Sequence, residues 1–351
     1  MNRVERVLCA LNHGVPDKVP YVHAFIDQRI REELIGHKID YRYLPKKADW
    51  SPIFRPEEQC FLEPYECVDA ETANLMGLDA IGMQYMTPVF ADVDTSQEGT
   101  VYIKKSLLTT PEALRQVRMP DVDNEEIYKP AMEFVKRYKG EFALFCRIRM
   151  AISPTMMSMG TEEFCYNMYD EPDFVKEVVS MYTTWVKKNV INLQECGFDF
   201  IWTFDDMAFK TATLFSNEAF NEFYFPYMKN VADAIKIPWV FHSDGNLLGV
   251  LDDLSKLGMN GIHPLEPGAM DLSLLKKQYG KKLCLIGNVD IDHCMTTATP
   301  EEIDAVVKNR MEVLGPDGGY MISDSNSIPF GVKVENIREI AKAVAKYRNI
   351  Y

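Results

Sequence analysis

IPWVFHSDG, residues 237–245, holds the reading that decides the fold. A short apolar run ends in His242 and Asp244, and Gly245 then frees the backbone for a sharp exit. Seven other stretches have this character: PYVHAF (20–25), LDAIGMQYM (78–86), FALFCRIRM (142–150), FDFIWTFDD (198–206), GIHPLEP (261–267), LCLIGNVD (283–290) and GYMISDSN (319–326). Most are separated by longer stretches with helical spacing, such as VENIREIAKAVAKY at 334–347. Eight strand–helix units in a chain of 351 residues describe an α/β fold, a (β/α)8 TIM barrel. Its active-site face is formed by the C-terminal strand ends. The first candidates for function are therefore His23, Arg147, Arg149, Asp205, Asp206, His242, Asp244, Glu266, Asn288, Asp290, Asp324 and Asn326.

Around this core, residues 2–12 have helical spacing with Val4, Val7, Leu8 and Leu11 on one face, an N-terminal helical extension. Residues 27–76 read as irregular and partly helical, long enough to cover the barrel mouth. Residues 90–105 alternate like a small hairpin inserted after the second strand. A helix is expected after Thr110, with Pro111 at its first position. The whole chain, 1–351, is expected to form one domain.

The formal net charge of -14 repels phosphate backbones and excludes nucleic acid as a natural partner. No apolar stretch reaches the length of a membrane span, and the charged opening MNRVERVLCALNHG does not resemble a secretory signal. Eight cysteines without CxxC spacing read as reduced thiols, so a cytoplasmic location is expected.

His242 and Asp244 are two apart on a strand, so their side chains share a face. Such a pair can hold a divalent metal, set imidazole basicity or bind substrate, or simply form a structural hydrogen bond. Glu266, at the next strand end, is the expected third ligand, or else a charge that orients the ligands or a partner in a rim salt bridge. Of Asp205 and Asp206 only one can face inward, and Asp205 is preferred. Arg147 and Arg149 share a face and could grip a carboxylate or phosphate, or else pair with an internal acid such as Asp79. Gly287 leaves room for a ligand beside Asn288.

Together these residues resemble the uroporphyrinogen decarboxylase superfamily. RVERVLCALNHGVPDKVP (3–20) is similar to its opening helix and turn. MGLDAIGMQY (76–85), FDFIWTFDD, WVFHSDGN, GIHPLEPGAMDL, LIGNVD and GGYMISDSNSIPFGVKVENI (318–337) continue the resemblance. It implies a (β/α)8 barrel and one of several chemistries. The porphyrinogen decarboxylases bind propionates through an arginine-rich N-terminal motif; HAFIDQRIREEL stands here without it, and Asn326 replaces a family His. Zinc-dependent methylcobamide:coenzyme M methyltransferases carry a His-x-Cys pair and a later Cys. The His matches His242, whereas Asp244 and Asn326 stand for the thiols, a harder ligand set that does not favour thiol methylation.

What remains resembles the first methyltransferase of corrinoid-dependent demethylase systems that act on methoxylated aromatics. That resemblance implies a methylated small-molecule donor and a partner protein carrying cob(I)alamin (a corrinoid). The expected catalytic residues are His242, Asp244 and Asp205, with zinc at His242, Asp244 and Glu266. The expected substrate contacts are His23, Tyr85, Arg147, Arg149, Asn288 and Asn326, with His23, alone on its strand, otherwise a satisfied buried residue. Barrels of this superfamily are dimers or monomers, so a homodimer is one expected assembly. The rival expectation is a decarboxylase or lyase anchoring a small carboxylated substrate on Arg147 and Arg149.

Overall fold

The computed structural model of the protein describes residues 1–39, 64–95 and 101–351. In chain order its strands are β1 (Tyr65–Val68), β2 (Ala80–Tyr85), β3 (Ala91–Thr95), β4 (Val101–Ser106), β5 (Ala143–Arg149), β6 (Phe200–Phe204), β7 (Trp239–His242), β8 (Gly261–His263), β9 (Cys284–Ile286) and β10 (Tyr320–Met321). β2 and β5 to β10 lie side by side in that order, each parallel to the next. Residues 20–26 close the ring. Tyr21 bridges Ile322 in parallel, Val22 N–H donates to the Ile322 carbonyl at 3.0 Å, and Asp79 N–H donates to the Tyr21 carbonyl at 2.8 Å. With that segment the parallel strands number eight, and the fold is the expected (β/α)8 barrel.

β1 departs from the irregular reading of 27–76. It runs antiparallel to the outer half of β2, setting Tyr65 opposite Gln84 and Val68 opposite Gly82. Its Cys67 carbonyl accepts the Ile26 N–H at 3.0 Å. The seam between the first two barrel strands is thus paired directly below and through β1 above. YECV is too short to show a period, which is why its strand character is not legible. The helices Gln28–Ile35 and Ala70–Met76 agree with the partly helical reading. The remainder of the expected mouth cover, residues 40–63, lies outside the described residues. β3 and β4 pair as the expected antiparallel hairpin, and Thr110 caps the helix Pro111–Gln116.

Between β5 and β6 stand three helices: Ile152–Met159, Thr161–Asp170 and Pro172–Glu195. Gly160 at φ 89° ends the first, a conformation costly for residues with a Cβ. Pro172 opens the third without needing a backbone donor.

The buried carboxylate of Asp79 clamps the barrel floor. It accepts from Arg6 at 2.7 Å, from Arg348 and from the Tyr21 N–H at 2.9 Å. Arg348 also donates to the carbonyls of Val19 and Gly77. The N-terminal helix, the first barrel strand and the end of the chain therefore meet at one acid. Above it, the rings of Phe145, Phe200 and Trp202 fill the interior at centroid separations of 5.2–6.1 Å. Gly82 leaves space for Phe145, because a Cβ there would lie 2.3 Å from the ring.

Glu66 on β1 supplies a pH test of this seam. Burial, then the charge of Asp69, pushes its carboxyl up to about 6. A carboxyl raised by folding stabilises the native state when protonated, so its contribution is complete below about pH 4.5 and is lost as pH rises through 6. Glu66→Gln is expected to gain up to about 2 kcal/mol over the wild type at pH 7 and nothing at pH 4, measured by chemical denaturation.

Candidate active site

Strand parity determines which side chains meet inside the barrel. On β6, Trp202 packs edge-on against His263 with centroids 5.0 Å apart. The period of two carries Phe204 and then Asp206 to the same side. On β7 the same rule brings His242 and Asp244 to the mouth. His242 Nε2 lies 3.6 Å from Asp244 Oδ1 and 3.8 Å from Asp206 Oδ1. Gly245, at φ 86°, turns the chain away, and a Cβ there would strike the Ala208 carbonyl at 2.4 Å.

The preference for Asp205 over Asp206 at the mouth is therefore reversed. Asp205 is buried on the outer side of β6. It accepts the N–H of Ile152 at 2.7 Å, the N–H of Ser153 at 2.6 Å, the Ser153 hydroxyl, and the Tyr224 hydroxyl at 3.2 Å. These bonds seat the start of the helix Ile152–Met159. Burial outweighs them and pushes the Asp205 carboxyl up to about 6.

Other expected contacts are also redirected. On β2, Gln84 faces inward and accepts from Arg147 at 2.7 Å, which turns Tyr85 outward. The Tyr85 hydroxyl donates to the Ile127 carbonyl, and its ring stacks on Tyr128. Asn288 is buried with both amide atoms taken, one by the Leu265 carbonyl and one by Arg310. His23 is buried between Asp324, at its Nδ1, and the Tyr21 hydroxyl, 3.0 Å from its Nε2. Glu266 accepts the Gly245 N–H at 2.8 Å and pairs with Lys210 at 3.3 Å, so it braces the loop after β7. Asp206 takes the place foreseen for it beside His242 and Asp244.

Asn326 does reach the cluster, donating its amide to Asp244 Oδ2. Arg147 is 6% exposed, with Gln84 and the Ser327 hydroxyl as its polar partners, and among the described residues it has no ion pair. Its guanidinium lies 4.2 Å from the Phe204 ring centroid and 5.9 Å from that of Phe25. Asp79 is not its partner, being spent on Arg6 and Arg348. The Arg149 guanidinium lies 5.0 Å from the same Phe204 centroid, with the Met157 sulfur at 2.9 Å.

His263 went unrecognised in the sequence. Its Nδ1 lies 2.7 Å from His242 Nδ1, and its Nε2 lies 3.6 Å from Asp324 Oδ1 and 3.3 Å from the Ser323 hydroxyl. The available signal was parity, since Gly261 and His263 share the inward face of β8. Burial opposes ionisation of Asp324, but His23 and His263 outweigh it and hold the carboxyl down at about 2.

The electrostatics of the mouth separate two roles. Burial first, then His263, Arg147 and Arg149, lowers the His242 pKa well below its ordinary value, so the imidazole is neutral. A His242 acting as a proton donor is thereby disfavoured. Burial first, then the Asp206 and Glu266 charges, pushes the Asp244 carboxyl up to about 8. Asp244 Oδ1 is buried without a hydrogen-bond partner. An orphaned oxygen among like charges fits a site for a cation. The nitrogen and two oxygens lie within 4.8 Å of one another, slightly wider than the roughly 3.3–3.6 Å edge of a tetrahedral zinc site.

A parallel barrel with an imidazole, two carboxylates and a buried arginine at its C-terminal mouth is the architecture of an enzyme site. The chain belongs to the uroporphyrinogen decarboxylase (URO-D) family, whose model matches residues 73–347. The uroporphyrinogen decarboxylase of Chlorobaculum parvum is 24% identical over 301 residues, covering 79% of this chain and 80% of that protein. That of Pelodictyon phaeoclathratiforme is 22% identical over 336 residues, covering 87% and 89%. A solved methyltransferase from Methanosarcina mazei has the same fold, with a TM-score of 0.72, 17% identity and 99% of each chain covered. No helix among the described residues is long and apolar enough to cross a membrane.

The two adjacent aspartates should respond oppositely to substitution. Asp205→Ala, which strips the donors of a buried helix start, is expected to cost about 2–3 kcal/mol of stability. Asp206→Ala is expected to stay within about 0.5 kcal/mol of the wild type. Urea denaturation of both variants measures the difference.

Proposed function

We propose that the protein is a corrinoid-dependent methyltransferase that moves the methyl group of a methoxylated aromatic carboxylate to cob(I)alamin carried by a partner protein. The observation that carries this reading is the Asp206–His242–Asp244 cluster, with its orphaned buried Asp244 oxygen. The absence of the propionate-binding arginine motif from HAFIDQRIREEL supports it against porphyrin chemistry. The fold shared with a methyltransferase is consistent with it.

His242, Asp244 and Asp206 would hold a divalent ion such as zinc, which supplies Lewis acidity to an ether oxygen as it becomes a phenolate. Asn326 fixes Asp244 from the far side. Arg147 binds the substrate carboxylate in a bidentate grip, between the rings of Phe204 and Phe25. Transfer would break the methyl C–O bond, leave its electron pair on the ether oxygen held at the cluster, and pass the methyl group to the partner's cob(I)alamin as acceptor; the phenolate would take a proton from solvent on release. The residues orient the donor so that its oxygen lies toward the cluster and its methyl toward the partner.

Purified protein with reduced cobalamin and a panel of methoxybenzoates should form methylcobalamin. His242→Ala should lower the rate about 100-fold or more and remove about one bound zinc per chain. No methylcobalamin from any donor sinks the reading, and carbon dioxide released without cobalamin favours the decarboxylase instead. Arg147→Gln should raise KM for carboxylated donors about 10- to 100-fold, the loss of a charge-assisted bond worth roughly 1.5–3 kcal/mol. Donors lacking the carboxylate should show little change.

A further inference from the structure

The His242–His263 contact joins two ring nitrogens at 2.7 Å, so one of them carries a proton and the other a lone pair. Asp324 decides which. Its Oδ2 is taken by His23 Nδ1, while its Oδ1 accepts the Asn326 N–H at 3.2 Å and faces His263 Nε2. An ionised carboxylate can only accept, so the nitrogen facing it bears a proton. The Ser323 hydroxyl beside the same nitrogen can accept as well. A neutral His263 protonated at Nε2 has a bare Nδ1, and the shared proton must then belong to His242.

We propose that His263 and Asp324 are positioning residues that hold His242 in its Nδ1–H tautomer, presenting the bare Nε2 to Asp206 and Asp244. The arrangement is unusual in its middle member. A ligating His ordinarily donates its second N–H to a carboxylate, carbonyl or water. Here a second imidazole intervenes and relays the preference of a carboxylate buried deeper in the barrel. The tautomer matters because only a bare Nε2 can donate a lone pair to a cation or take up a proton. This inference deepens the proposed function and rests on His242 as the donor atom at the mouth.

The test is histidine-selective 15N NMR of the full-length, metal-free protein, with the His242 resonances identified by their loss in His242→Gln. The wild type should show a protonated Nδ1 and a lone-pair-type Nε2 at His242. A protonated Nε2, or a doubly protonated ring, overturns the proposal. His263→Gln keeps an oxygen to accept from His242 and an amide to donate to Asp324, so it should retain the tautomer. His263→Leu should lose it. Asp324→Asn can turn an amide N–H toward His263, reversing both rings, and should weaken cobalt(II) binding about 10-fold or more. An unchanged tautomer and affinity in Asp324→Asn overturns the role of Asp324. If that variant does not fold, the wild-type and His263 spectra still decide. The spectra contain neither substrate nor cobalamin, so absent methyl transfer rejects the function alone, and a wrong tautomer rejects this inference alone.

Discussion

The contact between the Nδ1 atoms of His242 and His263 ties the mouth of this barrel to its interior. It leaves His242 one free nitrogen, aimed at two carboxylates. Through His263 it also joins His242 to Asp324, which the Asn326 backbone holds from the same strand end and His23 from another. Four of the eight barrel positions thus converge on one line of polar contacts. The aromatic layer beneath, with Trp202 edge-on to His263, excludes water from it and makes each polar contact there more costly to leave unmade.

The same burial explains the charge state of the mouth. A neutral imidazole beside an Asp244 that holds its proton to about pH 8 is what desolvation and the neighbouring acids impose. Arg147 has the opposite sign and stands on the inward face of β5 with Gln84 and Ser327 as its polar partners and, among the described residues, no ion pair. The mouth thus sets an acid cluster at the ends of β6 and β7 and a guanidinium on β5.

The fold was legible because buried parallel strands read as compact apolar runs, and seven of the eight became strands of the sheet, while the eighth, PYVHAF, closes it through isolated bridges. The site was legible where sequence position alone fixes direction: His242 and Asp244 share a face, and Asn326 meets them from the last strand end. It was misread where parity needed an interior reference. Trp202 against His263 is that reference, and it places Asp206 inward, Asp205 outward and, by the same logic on β2, Gln84 inward and Tyr85 outward. Asn288 and His23 were misread for another reason. Their polar atoms are consumed by Leu265, Arg310, Asp324 and Tyr21, partners 22 to 301 residues away except for Tyr21, and no local pattern announces such bonds.

The central claim is that the mouth binds a divalent metal through one imidazole and carboxylate oxygens. Zinc-edge X-ray absorption on protein loaded with one equivalent of zinc tests it most directly. The account predicts a shell of nitrogen and oxygen only, at about 2.0–2.2 Å, with an imidazole signature that disappears in His242→Ala. A sulfur shell near 2.3 Å, or zinc that remains fully hydrated in the wild type, contradicts it.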